Sequence, residues 1–184
     1  MTILFIILGI AAVIGFFLWT IYNQLVRAQN VVDEAFSGID VQLKKRFTLI
    51  PQLVEVTKAY SKHESDLLQR IVEMRNGVGN SNVQETANGD QKVTSTLNLF
   101  KVTVEDYPDL KANTTFLKLM DNLSAVENDL AMARRYYNGA TRDYNTKIEV
   151  FPAVLVAKKF GYSEIDYYEI NENEKAVPEI NLNN

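Results

Sequence analysis

The chain has 184 residues, enough for one domain with room for a terminal appendage. It contains no Cys and only one His, which excludes disulfides, thiol nucleophiles, Cys-ligated zinc, iron–sulfur clusters and multi-His metal sites. Lys and Arg number 19 against 23 Asp and Glu, and the resulting net charge of -4 argues against a generally basic nucleic-acid-binding protein.

The first element is an uncharged, apolar segment from Ile3 to Tyr22. Twenty helical residues rise about 30 Å, the thickness of the hydrocarbon core of a bilayer. Trp19 and Tyr22 lie at its C-terminal end, where amphipathic rings favour the headgroup region, so we expect both at the membrane interface. A cleaved signal peptide is the rival interpretation, but no basic region precedes the segment and no A-x-A site follows it. We predict a transmembrane anchor over residues 1–24 that contacts the lipid bilayer through residues 3–22.

The charges that flank the anchor predict its orientation. No Lys or Arg precedes it, whereas Arg27 follows closely and a basic cluster follows further on. The positive-inside rule therefore predicts a single pass with the N-terminus outside and the body in the cytoplasm. The absence of Cys fits a reducing compartment.

Helical spacing dominates the chain after the anchor. One apolar stripe predicts a first helix that continues out of the membrane: Leu25, Val32, Phe36, Ile39, Leu43 and Phe47. Thr48 is a candidate N-cap for a second helix with Pro51 in its first turn. The predicted buried face of this second helix consists of Ile50, Leu53, Val56, Tyr60, Leu67, Ile71 and Met74. Asn76-Gly77 should end it, and the polar stretch from Gly77 to Asp90 predicts a mobile connection.

Two further stripes predict a third and a fourth helix. The third has Val93, Leu97, Phe100, Val104 and Tyr107, and should end before Pro108. The fourth has Phe116, Leu119, Leu123, Val126, Leu130, Ala133, Tyr137, Ala140, Tyr144 and Ile148, and its unbroken spacing should carry it through Asn138-Gly139. A short helix from Ala153 to Phe160 should stop at Gly161.

Short connections between successive helices favour antiparallel neighbours. We therefore predict an all-α fold, in which the N-terminal transmembrane helix continues into an antiparallel up-and-down four-helix bundle over residues 25–168. Residues 169–184 carry four Glu against one Lys and are rich in Asn, which predicts a disordered acidic tail.

Three polar groups are the candidates for chemistry or binding. His63, within Lys62-His63-Glu64, has no evident catalytic partner, and a polar surface role is favoured over general acid–base catalysis. The cluster Lys44, Lys45 and Arg46 is expected at a solvated tip at the end of the first helix, with a partner or anion site as the alternative.

The third group is the stretch from Arg134 to Asn138, in which Arg135 and Tyr136 are candidate interaction residues. For this stretch, packing and ion pairing within the bundle are favoured over stacking against nucleic acid. Arg134 and Glu127 are expected in a buried polar network. We predict no catalytic residue, metal site or cofactor.

An ordered set of short motifs covers roughly residues 20 to 168. In chain order they begin at Tyr22-Asn23-Gln24-Leu25-Val26, Val41-Gln42-Leu43-Lys44-Lys45-Arg46, Leu49-Ile50-Pro51-Gln52-Leu53-Val54 and Lys62-His63-Glu64. They continue with Tyr107-Pro108-Asp109-Leu110-Lys111-Ala112-Asn113, Ala133-Arg134-Arg135-Tyr136-Tyr137-Asn138, Asp143-Tyr144-Asn145-Thr146-Lys147-Ile148 and Phe151-Pro152. Together they resemble the LemA family of bacterial membrane proteins. The resemblance implies an N-terminal transmembrane helix, a helical bundle and a short N-terminus outside the cell, but no activity, cofactor or substrate.

The functional expectation follows from an anchored bundle without an evident reactive centre. We predict a scaffold or adaptor in the bacterial cell membrane, not an enzyme, that acts through protein–protein contacts. It is expected to self-associate and to bind a membrane protein partner, and not to bind nucleic acid. Two alternatives stay open: a ligand-sensing, receptor-like bundle that signals through a partner, and a membrane-remodelling oligomer.

Overall fold

A computed structural model describes residues 1–58 and 83–169, and within these ranges every regular element is an α-helix. The helices are α1 (Thr2–Lys58), α2 (Val83–Val104), α3 (Pro108–Lys111), α4 (Thr114–Glu149) and α5 (Ala153–Phe160). The all-α class is thus confirmed, with a long apolar N-terminal helix that continues into a helical bundle.

The N-terminal part of α1 is long and apolar enough to cross a membrane. Every side chain from residue 1 to residue 19 is exposed, and the first buried side chain is Ile21. This pattern is expected for a segment whose surroundings are lipid, since a helix that is apolar all round must be buried in something. The transmembrane assignment of the segment agrees with this exposure.

The predicted break between the first two helices is wrong, because α1 runs through Pro51 to Lys58. Pro51 has no N–H to donate to the Phe47 carbonyl one turn earlier, yet the helix continues past this missing hydrogen bond. Thr48 Oγ1 donates to the Lys45 carbonyl at 2.7 Å, so Thr48 is not an N-cap, and Gln52 Nε2 donates to the Thr48 carbonyl at 2.9 Å. The remainder of the predicted second helix lies outside the described residues.

Helix α2 begins at Val83, earlier than the sequence pattern predicts. Residues 83–90 were expected to belong to the polar connection, but Ala87 and Asp90 are buried on the same side as Val93. Packing therefore outweighs the low helix propensity of the surrounding Asn and Gly residues. The predicted connection from residue 77 to 82 lies outside the described residues.

The predicted course of α4 is confirmed. Asn113 caps its N-terminus, because Asn113 Oδ1 accepts hydrogen bonds from the backbone N–H of Thr115 and Phe116 at 2.9 and 3.0 Å. The helix continues past Gly139, where a Cβ atom would meet nothing within 4 Å. Gly161 ends α5 with a φ of 76°, a left-handed conformation that glycine adopts without strain.

The described helices divide into two compact units. Among the described residues, the first unit comprises Met1–Gln42 and Asp129–Tyr167, and the second comprises residues 43–58, 83–128, 168 and 169. The core of the first unit is built from α1, α4 and α5: Ile21, Leu25, Ala28, Val32, Ala35, Ile39, Leu130, Tyr137, Tyr144, Ile148, Val156 and Ala157.

The core of the second unit lies between the end of α1, α2 and the start of α4. Its buried residues are Ile50, Leu53, Val54, Val93, Leu97, Phe100, Val104, Leu110, Phe116, Leu119 and Leu123. The rings of Phe100 and Phe116 meet at 6.2 Å across the short α2–α4 connection. Such a connection makes α2 and α4 antiparallel neighbours.

Candidate interaction sites

Arg46 is the centre of a polar network inside the second unit. Its side chain is 1% exposed, and its Nη1 donates to Asp90 Oδ1 at 2.8 Å and to Thr94 Oγ1 at 3.1 Å. Its Nη2 lies 3.3 Å from Glu127 Oε1. Tyr168 Oη donates to the second oxygen of Asp90 at 2.8 Å. Helices α1, α2 and α4 and Tyr168, all within the second unit, therefore meet at one buried ion pair.

The expectation that Arg46 lies at a solvated helix tip is wrong for two reasons. Helix α1 continues for three more turns beyond this residue. Arg46 also stands three residues after Leu43 and four before Ile50, both of which are buried, so it occupies the core-facing stripe. Arg46 is therefore removed from the candidate surface, whereas Lys44 and Lys45 are exposed.

Glu127, which is expected in a polar network, joins the network of the second unit. Glu127 accepts from Arg46 and, through its other oxygen, from Lys101 Nζ at 3.2 Å. Glu127 and Lys101 are partly exposed, at 29% and 35%. Asp90 and Tyr168, which were not singled out in the sequence, complete the network. Arg134 belongs to the first unit and is half-buried.

Arg135 and Tyr136 are both exposed on α4, as their candidate role requires, while the adjacent Tyr137 is buried. Tyr136 is 58% exposed and Met132, one turn earlier, is 54% exposed. Spacings of three and four residues place all three side chains on one face of the helix. The structure thus adds Met132 to the two residues found by sequence. We call Met132, Arg135 and Tyr136 the α4 face.

The opposite side of α4 holds the segment that follows α5. Tyr137 Oη donates to the Asp166 carbonyl at 2.8 Å, and Tyr144 Oη donates to the Ser163 carbonyl at 3.1 Å. Asn145 exchanges two hydrogen bonds with the backbone of Ile165, at 2.9 and 3.0 Å. Residues 163–166 are therefore fixed along α4 by two tyrosines that the sequence pattern assigned to the apolar core and by Asn145, which lies outside the predicted stripe.

Burial raises the pKa of the Tyr137 phenol above its ordinary value of 10.0, and the nearby carboxylates of Asp166 and Asp33 raise it further. Burial also raises the pKa of Tyr144, with Asp33 as the second cause. Both phenols are thus held in the protonated form, in which they donate hydrogen bonds to the backbone.

The two predicted membrane-interface residues contact different surroundings. Trp19 is exposed and packs against Phe16 with ring centroids 5.7 Å apart. The ring of Tyr22 lies 4.9 Å from Phe160 and 6.2 Å from Tyr162. A groove of about 380 Å³ beside them is lined by Leu18, Trp19, Tyr22, Leu155, Val156, Lys159 and Phe160. Helix α5 therefore packs beside the C-terminal end of the apolar segment of α1.

The described side chains are arranged for packing and ion pairing. Within residues 1–58 and 83–169, no group of three His, Asp or Glu side chains is placed to hold a metal ion. His63, the one candidate general acid or base, lies outside these ranges. What the described surface offers is an aromatic and cationic face on α4 and an apolar, lysine-bearing region at α5.

Comparison with known proteins identifies the family. The LemA family profile matches residues 35–182. The chain is 27% identical over 155 residues to protein LemA of Metamycoplasma hominis, covering 83% of this chain and 71% of that protein. It is 23% identical to magnetosome protein MamQ 2 of Paramagnetospirillum magneticum and 22% identical to magnetosome protein MamQ of Magnetospirillum gryphiswaldense. Each match covers 80% of this chain and 64% of the MamQ protein, so the chain spans less than two thirds of their length. The chain belongs to the LemA family, as its motifs predict, and is a membrane-associated member of it.

Proposed function

We propose that the chain is a single-pass, membrane-anchored helical scaffold that acts through protein–protein contacts and associates with copies of itself. The observation that carries this proposal is the α4 face, on which Met132, Arg135 and Tyr136 are exposed together. Tyr, Arg and Met are enriched at protein interfaces, and Tyr and Arg are enriched among the residues that dominate binding energy.

The membrane anchor allows a small contact surface to support self-association. Chains held in one plane by α1 meet at a much higher effective concentration than chains free in solution. Lys44 and Lys45 are weaker candidates for the contact, because Lys is depleted at interfaces and Arg46 is withdrawn into the core. The proposal therefore places the contact on α4.

The names of the MamQ relatives are compatible with a scaffold. The MamQ proteins are named for the magnetosome, that is, for a structure to which they belong and not for a reaction. The proposal correspondingly assigns no catalytic step, metal or cofactor to this chain.

We place the bundle on the cytoplasmic side of a bacterial membrane. Arg27 follows the transmembrane segment by little more than one helical turn, and Lys159 lines the groove beside Trp19 and Tyr22. Basic residues close to the end of a span favour the cytoplasmic side. Reporter enzymes fused to the C-terminus test this orientation: a cytoplasmic reporter should be active and a periplasmic one silent.

Site-specific photo-cross-linking tests the contact. Benzoylphenylalanine replaces Tyr136 in the full chain, and intact bacterial membranes are irradiated. We expect an adduct at twice the 20.9 kDa mass of the chain. The same amino acid in place of Glu34, an exposed residue of α1 in the same unit, is the matched control and should give little adduct.

A second variant separates a specific contact from crowding. Arg135→Glu reverses the charge beside position 136 and should abolish the adduct without loss of expression, because Arg135 is exposed. An adduct of another mass would show that the α4 face binds a different protein. That result would contradict self-association but would support the scaffold. A chain that gives no adduct at position 136 and is monomeric in detergent by light scattering would contradict the proposal.

A further inference from the structure

The region around α5 exposes apolar side chains that no described part of the first unit covers. Phe151 is 80% exposed, Leu155 is 61% exposed, and Phe160 and Val150 are also largely exposed. Lys158 and Lys159 are exposed on the same short helix. Val156 and Ala157 are buried, so α5 is fixed to the unit by one face and presents a mixed apolar and cationic face outward.

The position of α5 along α1 specifies what that outer face meets. Leu18, Trp19 and Tyr22 line one groove with Leu155, Lys159 and Phe160, and the Tyr22 and Phe160 rings are in contact. These α1 residues form the last turn of a transmembrane segment that is about 30 Å long. A helix packed against that turn lies at the depth of the lipid headgroups.

We propose that α5, together with Val150 and Phe151, is a second membrane contact that lies in the bilayer interface beside the transmembrane segment. Phe151 and Leu155 insert at the boundary between headgroups and acyl chains. Lys158 and Lys159 extend their charged ends to the phosphates of anionic lipids, while their apolar stems cover the surface below.

Two observations select lipid as the occupant of this face. Leu155 and Phe160 line one groove with Trp19, which is itself exposed at the end of the span. The two lysines supply the charge that complements an anionic leaflet, whose potential attracts basic residues next to a transmembrane helix. This inference uses the transmembrane assignment of α1 and is independent of the contact proposed for the α4 face.

Depth-dependent fluorescence quenching in the full chain tests the insertion. Trp19 is the single Trp, so Trp19→Phe gives a silent background, and Phe151→Trp then reports on the loop before α5. The protein is reconstituted in vesicles of equimolar phosphatidylcholine and phosphatidylglycerol that contain lipids brominated near or far from the headgroup. We expect a blue-shifted emission that the shallow bromines quench more than the deep ones.

Met132→Trp in the same background is the matched control, because Met132 is similarly exposed in the same unit. Met132 lies far from the membrane end of the unit. It precedes Tyr137 on α4, and Tyr137 packs against Phe36, which lies about 21 Å beyond Tyr22 along α1. Its emission should be quenched by aqueous acrylamide and not by brominated lipid. Leu155→Trp is a second reporter for insertion in case Phe151→Trp fails to fold.

Charge removal tests the lipid headgroup contact. In the Phe151→Trp reporter, Lys158→Gln with Lys159→Gln should reduce the ratio of inserted to free α5 roughly 25-fold in anionic vesicles, which corresponds to about 1 kcal/mol per Lys. Quenching should then fall to the level measured in pure phosphatidylcholine. Arg135→Glu, on the α4 face, should leave quenching unchanged even where it abolishes self-association.

Three results would overturn the proposal. Phe151→Trp could behave like Met132→Trp, which would place the loop in water. It could be shielded from acrylamide yet unaffected by brominated lipid, in which case another protein covers the face. Quenching could also be equal in anionic and zwitterionic vesicles with both lysines present, which would remove the headgroup contact.

Discussion

Replacing Arg46 should destabilise the second unit far more than replacing an exposed cation that shares its partner. Arg46→Met keeps the apolar stem but leaves the Asp90 carboxylate, which is 1% exposed, without the guanidinium at 2.8 Å. Removing one partner of a buried ion pair costs about 3–5 kcal/mol, since the remaining charge stays desolvated. Lys101→Met removes the other cation from Glu127, and partly exposed pairs contribute only about 0.2–1 kcal/mol.

The two sides of the pair should not respond equally. Asp90→Leu leaves the Arg46 guanidinium facing Glu127 at 3.3 Å, so this variant should lose less stability than Arg46→Met. Combining both substitutions removes both buried charges and should recover much of the loss, because apolar replacements of a buried pair are often neutral or better. In the double variant the Tyr168 hydroxyl has lost Asp90, the acceptor of its hydrogen bond. Adding Tyr168→Phe to the double variant removes this hydroxyl.

Thermal unfolding and hydrogen exchange of the full chain in detergent micelles measure these effects. In a chain of this size, 1 kcal/mol shifts Tm by about 2–4 °C, so Arg46→Met should lower Tm by roughly 6–20 °C. The chain has two compact units, which can unfold separately. Exchange of the α2 amides therefore provides the readout specific to the unit that contains the pair.

Two outcomes would refute this reasoning. Equal losses in Arg46→Met and Lys101→Met would mean that burial does not determine the value of the pair. Single losses that add within about 0.5 kcal/mol in the double variant would mean that Arg46 and Asp90 are not coupled.

Further substitutions test the cores and the segment along α4. Gly139→Ala should stabilise α4 by about 0.5–1 kcal/mol, whereas Gly161→Ala should destabilise α5 because of its φ of 76°, both by denaturant titration. Phe100→Ala empties a fully buried site and should cost about 3–5 kcal/mol in the same assay. The raised pKa of Tyr137 means that the folded protein keeps a proton that the unfolded chain loses, so stability should fall as pH rises above 10.0. Tyr137→Phe should flatten that alkaline loss while weakening protection of the segment at Asp166 in hydrogen exchange.

The apolar stripes predicted the helices well because burial and helical spacing are linked by geometry. The predicted third and fourth helices and the stop at Gly161 agree with α2, α4 and α5. Two charged residues of the polar network also follow this helical spacing. Arg46 lies between Leu43 and Ile50, and Asp90 lies three residues before Val93, so each charge occupies a core position of its stripe. An interpretation that assigns charged residues to solvent misses a pair whose partners are distant in sequence.

Helix boundaries depended on contacts that are not local. Pro51 is a strong local signal for a helix start. The flanking residues Ile50 and Leu53 are both buried, however, and their packing favours a helix that continues through Pro51. The start of α2 at Val83 similarly follows from the burial of Ala87 and Asp90. Local propensity favoured a break in both places, and tertiary packing outweighed it.

The contacts of α5 with α1 also lay beyond sequence reasoning. Phe160 follows Tyr22 by well over a hundred residues, and only the return of α4 toward the start of the bundle brings their rings together. Phe151, Lys158 and Lys159 each look like ordinary surface residues in the sequence. Their position near the end of the apolar segment is what suggests a common role.

The Arg46–Asp90 pair explains how the second unit selects one arrangement of its helices. Aliphatic stripes alone would allow α1 and α2 to pack with several different offsets along their axes, because one Leu or Val packs much like another. Only one offset places Asp90 opposite the Arg46 guanidinium, and every other offset buries two separated charges. Fixing register is the best-attested use of a buried polar group between packed helices. Because Tyr168 donates to the same carboxylate, the pair also holds Tyr168 in place within the second unit.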